Sequence, residues 1–212
     1  LAGTTLRINL ARGEIRRLAT DEELYRRWHG GRGITAKILY DEVPRDADPL
    51  GPKNIFIVNA GIMSGCFIPA GSKVEFGAVS PLTNGAGDSN MGGHLGPTLK
   101  FAGYDMVIFE GISPKPVYLF VDNDIVELRD ATGYWGMRSL ECEKKLKDDL
   151  GEDFEVATIG PAGENGVAFS CITHDYGRQA GRTGQGAVMG SKKLKAIAVR
   201  GNKSIPVHDL DS

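Results

Sequence analysis

Apolar and polar residues alternate through Thr4–Leu10 (TTLRINL) and again through Glu14–Leu18, on either side of Ala11-Arg12-Gly13. That two-residue period broken by a turn predicts a β-hairpin. Thr20 and Glu23 have capping-box spacing, so a helix is expected from Asp21 to the Gly30-Gly31 pair. A second helix fits Ile34–Tyr40, and Pro44, Pro49 and Pro52 then mark a loop. Asn54–Asn59 and Lys73–Val79 read as strands around the turn GIMSGCFIPAG. A polar glycine loop follows from Ser80 to Gly93 (SPLTNGAGDSNMGG), then a short helix near His94–Ala102 and the strand Met106–Phe109.

The same vocabulary returns in the second half. Val117–Val121 and Ile125–Leu128 predict another hairpin around Asp122-Asn123, and Ser139–Leu150 an amphipathic helix closed by Gly151. Phe154–Ile159 and Val167–Thr173 read as strands separated by GPAGENG. A basic glycine loop, a short helix at Ala187–Leu194 and the strand Ala196–Arg200 complete the chain. Corresponding elements lie roughly 90 to 112 positions apart, too irregular for a solenoid and suited to an old duplication. If the halves pack about a pseudo-dyad, the loops Ser80–Gly93 and Tyr176–Gly186 face one another. Such a paired site suits a ligand with two similar halves, or two copies of one ligand.

Composition changes this picture in one place. The 212 residues carry 25 Lys+Arg against 27 Asp+Glu, a net charge of −2, which excludes a general polyanion binder. Yet no acidic residue occurs between Tyr176 and Val207. There Gly177, Gly181, Gly184, Gly186 and Gly190 alternate with Arg178, Arg182, Lys192, Lys193 and Lys195. Glycines let backbone N–H groups approach a ligand, and arginine forks match phosphate oxygens. Arg178 and Arg182 therefore read as ligand contacts or as loop-bracing ion pairs. Lys192, Lys193 and Lys195 read as ligand contacts or as a solvated helix end. The three cysteines, Cys66, Cys142 and Cys171, have no metal or redox spacing and fit a reducing cytoplasm. No stretch has the length of a membrane helix, and the start at Leu1 is compatible with a trimmed N-terminus.

Familiar catalytic patterns are missing. Gly186-Ala-Val-Met-Gly190-Ser-Lys192-Lys193 lacks P-loop spacing, and Gly184-Gln185-Gly186 lacks the long helix and acid of a dinucleotide fingerprint. Tyr176 is the only aromatic in the basic loop, which disfavours nucleic acid. His29, His94, His174 and His208 are scattered and read as surface or packing histidines. Asp88, near Asn90, reads as a turn former, and Glu164-Asn165 as serving a turn. No catalytic residue is assigned.

Four motifs in order, SPLTNGAGDSNMGG, FAGYDMVIFEG, TIGPAGEN and GRQAGRTGQGAVMGSKKLKAIAVRG, make the chain similar to the N-terminal domain of tungsten-containing aldehyde ferredoxin oxidoreductases. The resemblance runs from the first hairpin through Val207. It implies an α+β fold of two mostly antiparallel sheets with helices, internally duplicated about a pseudo-two-fold axis. It further implies a single domain over residues 1–212, with repeats at about 1–111 and 112–207. The implied ligand is a tungsten (or molybdenum) bis-pyranopterin, whose phosphates are linked by magnesium. Carried over by position, the main-chain carbonyls of Asn90 and Gln179 face the magnesium. Gly92, Arg178, Gly181 and Arg182 contact the pterin phosphates or rings. Lys73 stands where the family commonly has arginine, a weaker fork, and Gln179 stands where it has a small residue.

The resemblance implies an oxidoreductase that turns aldehydes into carboxylic acids with ferredoxin as acceptor. The ligands of its 4Fe-4S cluster are not in this chain. The implied partners are the remaining domains or subunits, ferredoxin and a second copy of the chain, with no nucleic acid or membrane. The chain is then a fragment or a separately encoded subunit, inactive alone. Three rival readings stand beside it: a benzoyl-CoA reductase-type subunit with the same cofactor, a non-catalytic phosphate or nucleotide module, and an assembly subunit.

Overall fold

The computed structural model describes residues 1–66 and 68–206 of the 212. Val207, where the expected second repeat ends, and His208 lie outside them. The first half contains β1 (Thr4–Asn9), β2 (Glu14–Ala19), α1 (Glu22–Trp28), α2 (Gly31–Glu42), β3 (Phe56–Ala60), β4 (Val74–Val79), β5 (Ala86–Met91), α3 (Leu95–Phe101) and β6 (Tyr104–Glu110). The second contains β7 (Val117–Asp122), β8 (Ile125–Asp130), α4 (Ser139–Leu150), β9 (Glu155–Thr158), α5 (Pro161–Glu164), β10 (Ile172–His174), β11 (Arg178–Ala180), α6 (Gln185–Ser191) and β12 (Leu194–Arg200).

One sheet runs β2-β1-β6-β3-β4-β5 and the other, in the same sense, β8-β7-β12-β9-β10-β11. Each has a single parallel pair, β1 with β6 and β7 with β12, and is otherwise antiparallel. The two halves thus repeat one topology, the duplicated α+β fold expected from the element order.

Strand alternation builds the layers. Phe56, Val58, Leu119, Val121, Ile197 and Val199 point into one core shared by both sheets, with Leu95, Leu99, Val188 and Met189 of α3 and α6 inserted there. The outer face of the first sheet (Ile57, Met106, Ile108) packs on Ile34, Ile38 and Leu39 of α2. Tyr118, Phe120, Val156 and Ala198 on the outer face of the second pack on Cys142 and Leu146 of α4.

Two features of the strands depart from the pattern read in the sequence. The segments 80–93 and 176–186 are not loops throughout, since β5 and β11 form inside them as edge strands. Asp88 and Asn90 accordingly sit in a strand, where they pair in register with Gly77 and Glu75. Strands β6 and β12 begin two residues before the expected starts at Met106 and Ala196. Each carries a register shift, so that Asp105 and Lys195 are skipped in the pairing with β1 and β7. An extra residue of this kind is a β-bulge. It lets Tyr104 and Val107, and likewise Leu194 and Ile197, share the core face although three positions apart. Two smaller differences are local. Residues 167–171 precede β10 without joining it. Asp21, not Thr20, caps α1, accepting from the Leu24 N–H at 3.0 Å.

Both bulge residues are buried charges with partners of opposite sign. Asp105 is paired with Lys100 and accepts from Ala2 N, Gly3 N and the Thr20 hydroxyl. Lys195 is paired with Glu164 and donates to the carbonyls of Met137 and Ile159. Lys192, also fully buried, donates to the carbonyls of Asn54 (2.5 Å) and Gly111 (3.1 Å). Its burial pulls the ammonium down to about 8. These lysines are therefore interior struts rather than a solvated helix end. Lys195→Met leaves the Glu164 carboxylate buried without its cation, and is expected to cost about 3–5 kcal/mol in urea unfolding. Lys115→Ala, which cuts an exposed pair with Asp130, is expected to leave the midpoint essentially unchanged.

Candidate functional site at the seam of the two sheets

The shared core brings the free edges of the two sheets side by side, β5 against β11. Several hydrogen bonds close this seam. Arg182 N donates to Ser89 Oγ (3.1 Å), the Thr183 hydroxyl to the Asp88 carbonyl (3.3 Å), and the Ser80 hydroxyl to the Thr183 carbonyl (2.8 Å). Gln185 Nε2 reaches the Gly87 carbonyl at 3.4 Å. The two glycine segments thus do face one another.

Asn90 and Gln179 occupy matching places in this seam. Each is exposed, lies in its sheet's edge strand one residue from the end, and pairs with the strand before it, Asn90 with Glu75 and Gln179 with Thr173. Arg178, beside Gln179, is 55% exposed, and its Nε donates to Asp175 Oδ2 at 2.8 Å. Arg182 is exposed, and its guanidinium has no hydrogen bond among the described residues. Arg178 thus braces the loop through Nε while its two Nη groups stay unpaired among the described residues, and Arg182 is free altogether, so neither guanidinium is closed to a ligand.

Glycine serves two purposes here. At Gly92 an added Cβ would find only the Arg178 Nη1, at 3.7 Å, and at Gly181 only the Gln179 Cβ, at 3.8 Å, so both leave open space above the backbone. Gly93 is instead demanded by packing. Its φ is +103°, and a Cβ would stand 2.9 Å from Arg178 Cδ and from the His174 ring. The β10–β11 turn is also strained, with φ of 49° at Asp175 and 51° at Tyr176. Buried Glu143 on α4 holds it, since both its carboxylate oxygens accept from Tyr176 N at 3.2 Å.

Lys73 stands one residue before β4, exposed, on a cleft of about 240 Å³ that it shares with Asn90, Gly31, Arg32, Asn59, Gly61 and Glu75. All seven residues singled out from the sequence, Lys73, Asn90, Gly92, Arg178, Gln179, Gly181 and Arg182, therefore lie along the seam or on the cleft beside it. Sequence reasoning missed Glu75 and His174. Glu75 forms a cross-strand row with Asn59 and Asn90 on the helix-covered face. Burial, with the Asp88 charge next in importance, pushes its carboxyl up to about 7. A charged residue inside the apolar alternation VEFGAV was the available signal. His174 had none, because its partners are distant in sequence.

The chemistry of this donor set fits a phosphate-bearing group: exposed cations, open glycine backbone and edge-strand carbonyls at one seam. Among the described residues no cluster of three His, Cys, Asp or Glu side chains could hold a metal.

The family model of the aldehyde ferredoxin oxidoreductase N-terminal domain matches residues 5–201. The chain belongs to this family. Tungsten-containing aldehyde ferredoxin oxidoreductases of Thermococcus kodakarensis and Pyrococcus furiosus are 46% and 44% identical over 208 residues, 98% of this chain and 34% of each relative. The chain thus spans about a third of the length of these relatives. A solved structure, the active site complex BamBC of benzoyl coenzyme A reductase with 1,5-dienoyl-CoA, matches at a TM-score of 0.90 and 41% identity, covering 96% of this chain and 31% of that one. None of the described helices is long and apolar enough to cross a membrane.

Gly93→Ala is expected to destabilise the fold by about 1–3 kcal/mol, through a positive φ and contact with two site side chains. Gly133→Ala, at an open position with nothing within 4 Å of the new Cβ, is expected to stay within about 0.5 kcal/mol. Denaturant midpoints of the two variants check the difference.

Proposed function

We propose that this domain, one unit of two repeats spanning about 1–111 and 112–207, is the base that holds a tungsten bis-pyranopterin at the β5–β11 seam. The observation that carries the reading is the matched pair of edge strands, which brings Asn90 and Gln179 into equivalent places among exposed cations and open glycines. Arg178, Arg182 and Lys73 bind the cofactor's phosphates or rings by charge-assisted hydrogen bonds. Gly92 and Gly181 would allow the ligand onto the backbone, and the main-chain carbonyls of Asn90 and Gln179 would hold a magnesium ion beside it. The bound group, with tungsten or molybdenum, supplies the redox chemistry. The residues described above bind and orient.

The rest of the protein covers the cofactor, supplies the 4Fe-4S ligands and completes an enzyme that oxidises aldehydes to carboxylic acids. It works in the cytoplasm with ferredoxin as acceptor and a second copy of the chain as a further partner. The isolated domain is inactive in this reading. A second reading keeps the cofactor and changes the substrate, and the 41% identity to the benzoyl coenzyme A reductase complex favours it. Turnover of aldehydes against benzoyl-CoA by the full-length protein separates the two.

Arg178→Ala/Arg182→Ala in the full-length enzyme removes two charge-assisted contacts and is expected to lower tungsten and pterin content roughly tenfold or more. Wild-type occupancy in that double variant, measured by elemental analysis and pterin fluorescence, contradicts their role.

A further inference from the structure

His174 joins the two halves at the seam through both ring nitrogens. It is fully buried in β10. Its Nδ1 lies 3.0 Å from the Val156 carbonyl of β9, which can only accept. Its Nε2 receives the N–H groups of His94 and Leu95, each at 3.2 Å, where α3 begins in the other half. The imidazole must therefore be neutral, with its proton on Nδ1. Gly93 packs against the same ring, and Arg178 pairs with His174 across the β10–β11 hairpin. One side chain thus ties the segment carrying Gly92 to the hairpin carrying Arg178 and Gln179.

A second proton would have to sit on Nε2, facing two N–H donors. An acceptor stands close by: Glu155 Oε2 on β9 is 3.6 Å away, buried and without a hydrogen-bond partner. The other charged or titratable groups around the ring are Asp175 and Arg178 on the hairpin, His94 at the start of α3, and Lys147 and Glu143 on α4. By contrast, the hydrogen bonds that hold β11 and its following turn to β5 use hydroxyls, amides and backbone groups, none of which titrates near neutral pH.

We propose that His174 is a pH-sensitive positioning residue for the cofactor seam. Neutral, it clamps the Gly92–His94 segment to the β10–β11 hairpin; protonated from solvent, it turns to Glu155, releases the start of α3 and loosens the cofactor. The loss of cofactor rests on the function proposed above, whereas the clamp itself does not. Burial lowers the His174 pKa from 6.5, so the clamp is engaged at neutral pH. Because the folded value is the depressed one, the clamp contributes fully above 6.5 and its contribution is lost as pH falls below it.

The test uses the full-length enzyme, desalted at a series of pH values from about 8 down to about 4, with two readouts. These are retained tungsten and amide-exchange protection at His94 and Leu95. The wild type is expected to keep roughly tenfold less tungsten in acid and to lose protection at both amides. His174→Gln, which keeps an acceptor but cannot titrate, is expected to show flat profiles in both. Glu155→Gln, which removes the acceptor for the imidazolium, is expected to move the acid midpoint down by on the order of one pH unit. His174→Ala is expected to have low tungsten and unprotected amides at every pH. A wild-type protection profile that is flat, or that superimposes on that of His174→Gln, overturns the clamp. Wild-type enzyme that holds no tungsten at pH 8 overturns the cofactor reading instead, and the exchange profiles still decide the clamp.

Discussion

Everything at the site depends on the burial of two sheet faces in one core. Phe56, Val58 and Phe76 from one sheet and Leu119, Ile197 and Val199 from the other exclude water only if the sheets stack. At about 25 cal/mol per Å² of apolar surface, that burial is the largest favourable contribution available to the chain. Stacking leaves β5 and β11 as adjacent free edges. An edge strand presents unpaired backbone groups that must be covered or used. Here two edges from a repeated topology meet, and the cofactor proposed above would lie across both.

The positive charges of the C-terminal stretch are sorted by the same packing. Lys192 and Lys195 turn inward, one to carbonyls and one to Glu164, and fix the connection from α6 into β12. Arg178 and Arg182 stay at the seam in solvent. A buried ammonium satisfied by carbonyls and a carboxylate stabilises position, whereas an exposed guanidinium among glycines remains able to bind. One run of basic residues therefore serves two ends.

Most of the fold was legible from local pattern. Both hairpins, helix Ser139–Leu150 and the repeated order follow from alternation, caps and turn residues. The strand starts at Tyr104 and Leu194 were hidden because buried Asp105 and Lys195 interrupt the apolar run, and only their distant partners explain them. β5 and β11 were hidden for another reason: polar, glycine-rich edge strands carry no hydrophobic period. Arg178, Arg182 and Asn90 could be named from their glycine surroundings and the family motifs. His174 and Glu75 could not, since His174 acts on residues about eighty positions earlier and Glu75 acts across neighbouring strands.

In the proposed arrangement the seam, and not another face of this domain, carries the cofactor. Anomalous diffraction at a tungsten absorption edge from crystals of the full-length protein tests it most directly. The metal peak is expected above the β5–β11 seam, with the cofactor's phosphates against Asn90, Gln179 and Arg182. A metal peak over a different surface of the domain, with the seam filled only by protein side chains, would contradict it.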